Sequence, residues 1–261
     1  MPLFRRFLRD NRRGLLGFCV GMILLCASYL PLYPSFGTAE LESIYAQFPE
    51  PLRRAFGIAG LQDGAGYTQS TIFGVVGTLI AVIATVGWGA AAVAGDEEGG
   101  GLELTLARGV TRAQLVLERG LALLVQSVAL AGTVALVVLA MNAPTGLGLA
   151  VRGVLGAGAA MALLAALYGL LALAVGAVTG RRGAAIATGT VAALAGYVSS
   201  VVGSQRAGLE WLSHASPFSW AYATEPLRHG LDLAGAGLLA ATAGCLWLLA
   251  VWGLARRDVG A

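Results

Sequence analysis

The sequence contains no lysine. A phosphate-cradling Gly-x-x-x-x-Gly-Lys-Ser/Thr loop cannot be built without one, so an ATPase site of that class is excluded from this chain. Charge of either sign is scarce. Acidic and basic residues together make up 12% of the 261 residues, about half the ~25% of a soluble domain. With 57% hydrophobic residues and a mean hydropathy of +0.76, this points to an integral membrane protein. Cysteine stops at three, Cys19, Cys26 and Cys245, each in an apolar run. They are expected to pack against helices or lipid, not to form a disulfide framework. Histidine stops at two. His214 and His229, with Glu210, Glu225 and Asp232, are the candidates for a metal site, but they lack the tight ligand spacing of zinc patterns. No metal and no catalytic residue is expected, since no Ser-His-Asp grouping stands out either. The seventeen basic residues are all arginine. Dispersed around apolar segments, they carry no nucleic-acid signature. Arginine without lysine, with abundant glycine and alanine, suggests a high-GC bacterial genome.

Six apolar segments approach the ~20 residues a bilayer requires. They run over residues 14–34, 71–94, 120–141, 153–179, 184–202 and 233–254. None of them contains Asp, Glu, Lys, Arg or His. Ion-coupled transporters and proton relays carry an ionisable group at membrane depth, so the energy for any transport is expected from elsewhere. Ahead of the first segment, Arg5, Arg6, Arg9, Arg12 and Arg13 interleave with Phe4, Phe7 and Leu8, a pattern for a basic amphipathic helix at headgroup level. No small-residue cleavage site follows, so this stretch is expected to remain in the mature protein. With the N-terminus inside, twelve arginines fall in internal segments. Five, Arg53, Arg54, Arg152, Arg206 and Arg228, fall outside. The positive-inside bias therefore predicts both termini in the cytoplasm. Glycine pairs at four-residue spacing, Gly17 with Gly21 and Gly176 with Gly180, would allow close helix approach.

The longest polar interruption on the predicted cytoplasmic side runs from Gly95 to Arg119. Three acids, Asp96, Glu97 and Glu98, precede three glycines. Leu102, Leu106, Val110, Ala113 and Leu117 then recur at roughly helical spacing, with Glu103, Arg108 and Arg112 elsewhere on the wheel. Acids ahead of a helix suit its positive end. Gly109 is expected to break the run, and Thr111 with Gln114 reads as a capping box opening the next helix. The expectation is a short surface helix, a kink, and a helix entering lipid. On the predicted outer side, residues 35–70 carry Leu41, Ile44, Tyr45 and Phe48 on one helical face. Leu52, Ala55 and Phe56 follow after Pro49 and Pro51, which fits two short interfacial helices. The last outer loop holds Trp211, Phe218, Trp220 and Tyr222, with Pro217 and Pro226, as an aromatic belt would.

The 95–119 stretch resembles the cytoplasmic loop of the ABC transporter type-2 permease family. Glu98, Gly100, Leu102, Glu103, Leu106, Val110, Thr111 and Arg112 fall on that family's pattern. Gly101 stands where threonine is usual, and Gly109 where proline is usual. FPEPLRRAFG looks like the family's outer Pro-Glu-x-Leu element. LSHASPFSWAY is similar to its Leu-Ser-Pro-Phe-x-Trp element.

The resemblance implies an all-α integral membrane fold, with one permease domain over residues 1–261. It would have six transmembrane helices, a cytoplasmic coupling helix between spans 2 and 3, and an external re-entrant helical element before span 6. Glu97, Glu98, Gly100, Leu102, Glu103, Leu106, Arg108, Thr111 and Arg112 would couple to a cytoplasmic ABC ATPase. Trp211, Pro217, Phe218 and Trp220 would form the external gate element. ATP and Mg would be bound by the ATPase and not by this chain. A second permease copy or paralogue and membrane lipid complete the expected partners. The implied activity is export of a hydrophobic or amphipathic substrate, such as a drug, antibiotic or lipid, across a bacterial cytoplasmic membrane. Two other readings stand beside it. One is a membrane scaffold or sensor that recruits a partner through residues 95–119. The other is an intramembrane enzyme. Glu97-Glu98 is similar to the paired glutamates of CAAX-type proteases, but Leu102 stands where their arginine would follow, which leaves His214 and His229 as that reading's residues.

Overall fold

The computed structural model describes residues 2–36, 63–107, 109–205 and 208–257. Every regular element among them is helical. Helix α1 (Pro2–Tyr29) runs without a break into a 3-10 turn (Leu30–Leu32) and a last helical turn (Tyr33–Phe36). The basic stretch is thus the opening of the first span and not a separate surface helix. Inward contacts hold it in line. Leu3 and Phe7 are buried, and the Phe4 backbone N–H donates to Glu118 at 2.9 Å.

Helix α2 (Gly64–Glu98) starts where Asp63 accepts a hydrogen bond from the Gly66 N–H and so caps the first turn. Two π-turns, Gln69–Phe73 and Ala91–Gly95, bracket its regular stretch Val76–Ala90. A short helix α3 (Gly101–Leu106) follows, then α4 (Arg112–Thr145) and α5 (Val151–Thr179). After α6 (Arg182–Gln205) come three short helices, α7 (Glu210–His214), α8 (Pro217–Tyr222) and α9 (Pro226–His229). The last span is α10 (Leu233–Arg256).

Helices α1, α2, α4, α5, α6 and α10 are long and apolar enough to cross a membrane. Each contains one of the six predicted segments, α1 together with the turns that continue it to Phe36, and reaches beyond it at one or both ends. The predicted interfacial helices at 35–70 and the FPEPLRRAFG element lie outside the described residues, apart from the start of α2.

The span α5 is the hub. It packs on α2, α4, α6 and α10. Its apolar window is 72% buried, against 17% for α1. Small residues make this possible. A Cβ on Gly89 of α2 would strike the Gly169 carbonyl of α5, so the two backbones touch there. The glycine pairs singled out in the sequence behave differently. Gly17 and Gly21 face nothing within 4 Å, and Gly180 is the left-handed cap of α5 at φ 68°. Of the four, Gly180 marks the close approach, to the Arg257 guanidinium, while Gly176 makes ordinary contact with Ala94 and Ala185.

Candidate functional site at the arginine-rich end

Alternation of the six spans gathers the starts of α1, α4 and α6 and the ends of α2, α5 and α10 at one end of the bundle. The 95–111 connection lies there. Its three acids form the last turn of α2 and are not part of the N-terminal turn of α3. That is the negative end of a helix, where carboxylates are disfavoured, and basic groups from other helices offset them.

Arg119, 5% exposed, donates to the Ala92 carbonyl and pairs with Asp96. The Phe7 ring of α1 lies 5.9 Å from its guanidinium carbon. Arg257, just beyond α10, pairs with Glu97 and also donates to the Ala177 carbonyl of α5 at 3.2 Å. Glu98 accepts from the backbone N–H of Arg182 at 2.8 Å, at the start of α6. Arg112 donates to the carbonyls of Leu254, at 3.2 Å, and Arg257, closing the end of α10. Glu118, also buried, accepts from Phe4 and from the Gln114 side chain. Residues 96–98 and Arg112 thereby join the ends of α2, α4, α5, α6 and α10, and α1 is tied in through Glu118 and Arg119 of α4. The absence of charge inside the apolar segments ends one step before Gly120, with a buried carboxylate and a buried guanidinium.

The other predicted coupling residues are placed as follows. Leu102 is fully buried in the chain's own core, so in this conformation it anchors the loop to the bundle. Gly100 and Gly109 take left-handed backbone angles, φ 69° and 79°. At Gly109 the turn is therefore one that proline, fixed near −65°, could not make. Thr111 caps α4 by accepting from the Gln114 N–H at 3.1 Å. The capping box is half realised, since the Gln114 side chain turns forward to Glu118. Glu98, Gly100 and Thr111 are exposed. Arg108 and the side chains of Glu103 and Leu106 lie outside the described residues.

At the opposite end α8 bridges α6 and α10. Ser216 caps α8 and donates to the Gly196 carbonyl of α6 at 2.6 Å. Pro217 takes the first helical position, as its fixed φ favours. Phe218 is buried between Tyr168 and Tyr197, with ring centroids 6.0 and 5.6 Å away. The Trp220 indole N–H donates to the His214 carbonyl at 2.7 Å. Trp211 is 63% exposed. Tyr222 shares a 2.8 Å hydrogen bond with Thr78 of α2. Burial raises the pKa of this phenol, and the Thr78 contact offsets only part of that. Asp63 and Arg228 pair at 2.9 Å, linking α9 to the start of α2. Among the described residues, no three His, Cys, Asp or Glu side chains converge as metal ligands would.

Arg119, Glu118 and Arg257 are functional groups of the clasp that no sequence motif singles out. Their signal was present. Each is a charged residue within three positions of an apolar span, where an unpaired charge would be costly.

No curated protein matches the chain in a sequence comparison. The family model described as ABC-2 family transporter protein matches residues 1–255. That match covers all six spans, the clasped loop and the bridging helices. The chain is a multi-pass membrane protein and belongs to the ABC-2 transporter permease family.

Proposed function

We propose that this chain, as one permease domain over residues 1–261, is the membrane subunit of an ABC exporter driven by a separate cytoplasmic ATPase. The observation that carries the proposal is the clasped loop. A partner that pushes on residues 95–111 pulls at once on the ends of α2, α5, α6 and α10 through Asp96, Glu97, Glu98 and Arg112. A loop that merely tethered a scaffold would not need bonds to the ends of α2, α6 and α10. On this reading the residues divide their work. Glu98, Gly100 and Thr111, with α3 carrying Glu103 and Leu106 and with Arg108, form the docking side. Leu102, Glu97 and Arg112 transmit the push inward. Two copies, or this chain and a paralogue, assemble in a bacterial cytoplasmic membrane with both termini inside. ATP and Mg stay with the ATPase. The apolar span interior suits a hydrophobic or amphipathic cargo better than an ion.

The test is co-expression with a candidate ABC ATPase subunit from the same genome. The expected result is a complex with two ATPase subunits whose vanadate-sensitive hydrolysis changes on assembly. Glu103→Arg with Leu106→Asp should abolish that change. If this double variant co-purifies and couples like the parent, the docking assignment is wrong. If the ATPase never binds, the scaffold reading replaces the transporter.

A further inference from the structure

At the end opposite the clasp, α6, α8 and α10 enclose a pocket of about 520 Å³, within the ~300–1,000 Å³ of small-molecule sites. Hydroxyl groups dominate its polar lining. Ser219 donates to Ser200 at 3.0 Å, which leaves the Ser200 proton free to point elsewhere. Asp232 spends one lone pair of each carboxylate oxygen on capping α10, accepting from Ala234 and Gly235 at 3.1 Å. Each oxygen keeps further acceptor capacity. The His214 imidazole and Thr224 hydroxyl have no hydrogen-bond partner among the described residues. The Trp220 ring is fixed by its bond to the His214 carbonyl. On the lipid side, Leu238 of α10 lines the pocket and is half exposed. Val198 and Leu194 are exposed along α6.

We propose that this pocket binds the glycosyl head group of an amphiphile, with the alkyl tail running down between α6 and α10. Three features select that chemistry. A sugar hydroxyl is donor and acceptor at once, and the lining offers both, the Ser200 and Thr224 hydroxyls beside the Asp232 carboxylate. A fixed indole offers the apolar face of a pyranose a flat surface. A single carboxylate, with no arginine in the lining, disfavours a phosphate or carboxylate head group. The proposal deepens the exporter reading by naming the cargo's head group, but binding to the isolated chain does not require the ATPase.

The chain is reconstituted in detergent-free nanodiscs with an octyl glucoside that carries a diazirine next to the sugar. Labelled residues are mapped by mass spectrometry. The expected result is labelling on α8 and the facing turns of α6 and α10. Unlabelled octyl glucoside should suppress it, and octyl tetraoxyethylene ether should not. Asp232→Asn keeps one of the two helix-cap bonds and removes the charge, and Ser200→Ala removes the free donor together with the acceptor of Ser219, so the melting temperature of each variant is measured alongside. Each should weaken competition about tenfold, the value of one good hydrogen bond. Equal competition by the tetraoxyethylene ether would show an unselective apolar site and overturn the proposal. So would full competition by free glucose, which would assign the pocket to a soluble sugar, or unchanged competition in both variants. Failure of ATPase assembly with this labelling intact would overturn only the exporter reading.

Discussion

Removing Glu97 from its pair with Arg257 is the sharpest probe of the clasp. Both side chains are a little under one quarter exposed, between surface and interior. Two unit charges ~4 Å apart at an effective dielectric of ~20 attract by ~4 kcal/mol. Desolvation and the ordering of two long side chains cancel part of this, leaving ~1–2 kcal/mol net. Glu97→Ala also strands a cation, so the single change should cost ~2 kcal/mol. For a chain of this size that is a fall of about 5 °C in the apparent melting temperature, read at one fixed scan rate because membrane-protein unfolding is irreversible. Arg257→Ala should cost slightly more, since the Ala177 carbonyl loses its donor as well. The double variant should melt well above the additive expectation, with a coupling of ~1–2 kcal/mol. The exchanged pair, Glu97→Arg with Arg257→Glu, should recover only part of the loss, because a carboxylate would then face that carbonyl. Additivity within ~0.5 kcal/mol, or no recovery on exchange, would refute the reasoning and reduce the pair to an incidental contact.

Four further outcomes follow from the same geometry. Gly89→Val should drive α2 and α5 apart and cost ~2–3 kcal/mol, seen as loss of monodisperse protein on size exclusion. Gly21→Val should be silent for the isolated chain, because nothing lies within 4 Å of it. Gly109→Ala should cost ~1 kcal/mol through its left-handed backbone, and Gly109→Pro more. Both should reduce coupling to the ATPase more than they reduce yield of the chain. Phe218→Ala should cost ~3–5 kcal/mol as a buried aromatic lost between two tyrosines, whereas Trp211→Ala should leave the melting temperature unchanged.

Much of the fold was legible because apolar length alone decides a transmembrane helix. Where the sequence reading departed from the structure, polar residues decided. The N-terminal arginines looked like a surface helix because their period is amphipathic. Yet Glu118, more than a hundred residues away, accepts the Phe4 N–H and holds the stretch in line with the span. The acids at 96–98 looked like the prelude to α3, since acids favour helix starts. They close α2 instead, because Arg119, Arg257 and the Arg182 N–H reach them from three other helices. The Thr111 cap was legible because its partner is only three residues away. No local rule reveals a bond between Glu97 and a residue 160 positions later.

The exclusive use of arginine acquires a structural meaning at this end of the bundle. The last carbonyls of a helix have no partner within it, and in a membrane protein such groups are expensive to leave bare. Two of these ends are served by arginines from elsewhere in the chain, Ala177 of α5 by Arg257 and Leu254 of α10 by Arg112, and a third arginine, Arg119, serves the Ala92 carbonyl in the π-turn just before the end of α2. Two of the three also hold a carboxylate, Asp96 or Glu97. Serving a carbonyl and a carboxylate at once needs several donors fixed in one plane, which a guanidinium has and an ammonium does not. Each such arginine therefore ties two helix ends together while supplying the positive charge that the negative pole of a helix favours. Because every tie runs through the 95–119 stretch or its immediate neighbours, a push on that stretch cannot stay local. It must either break these bonds or move the ends of the spans with it.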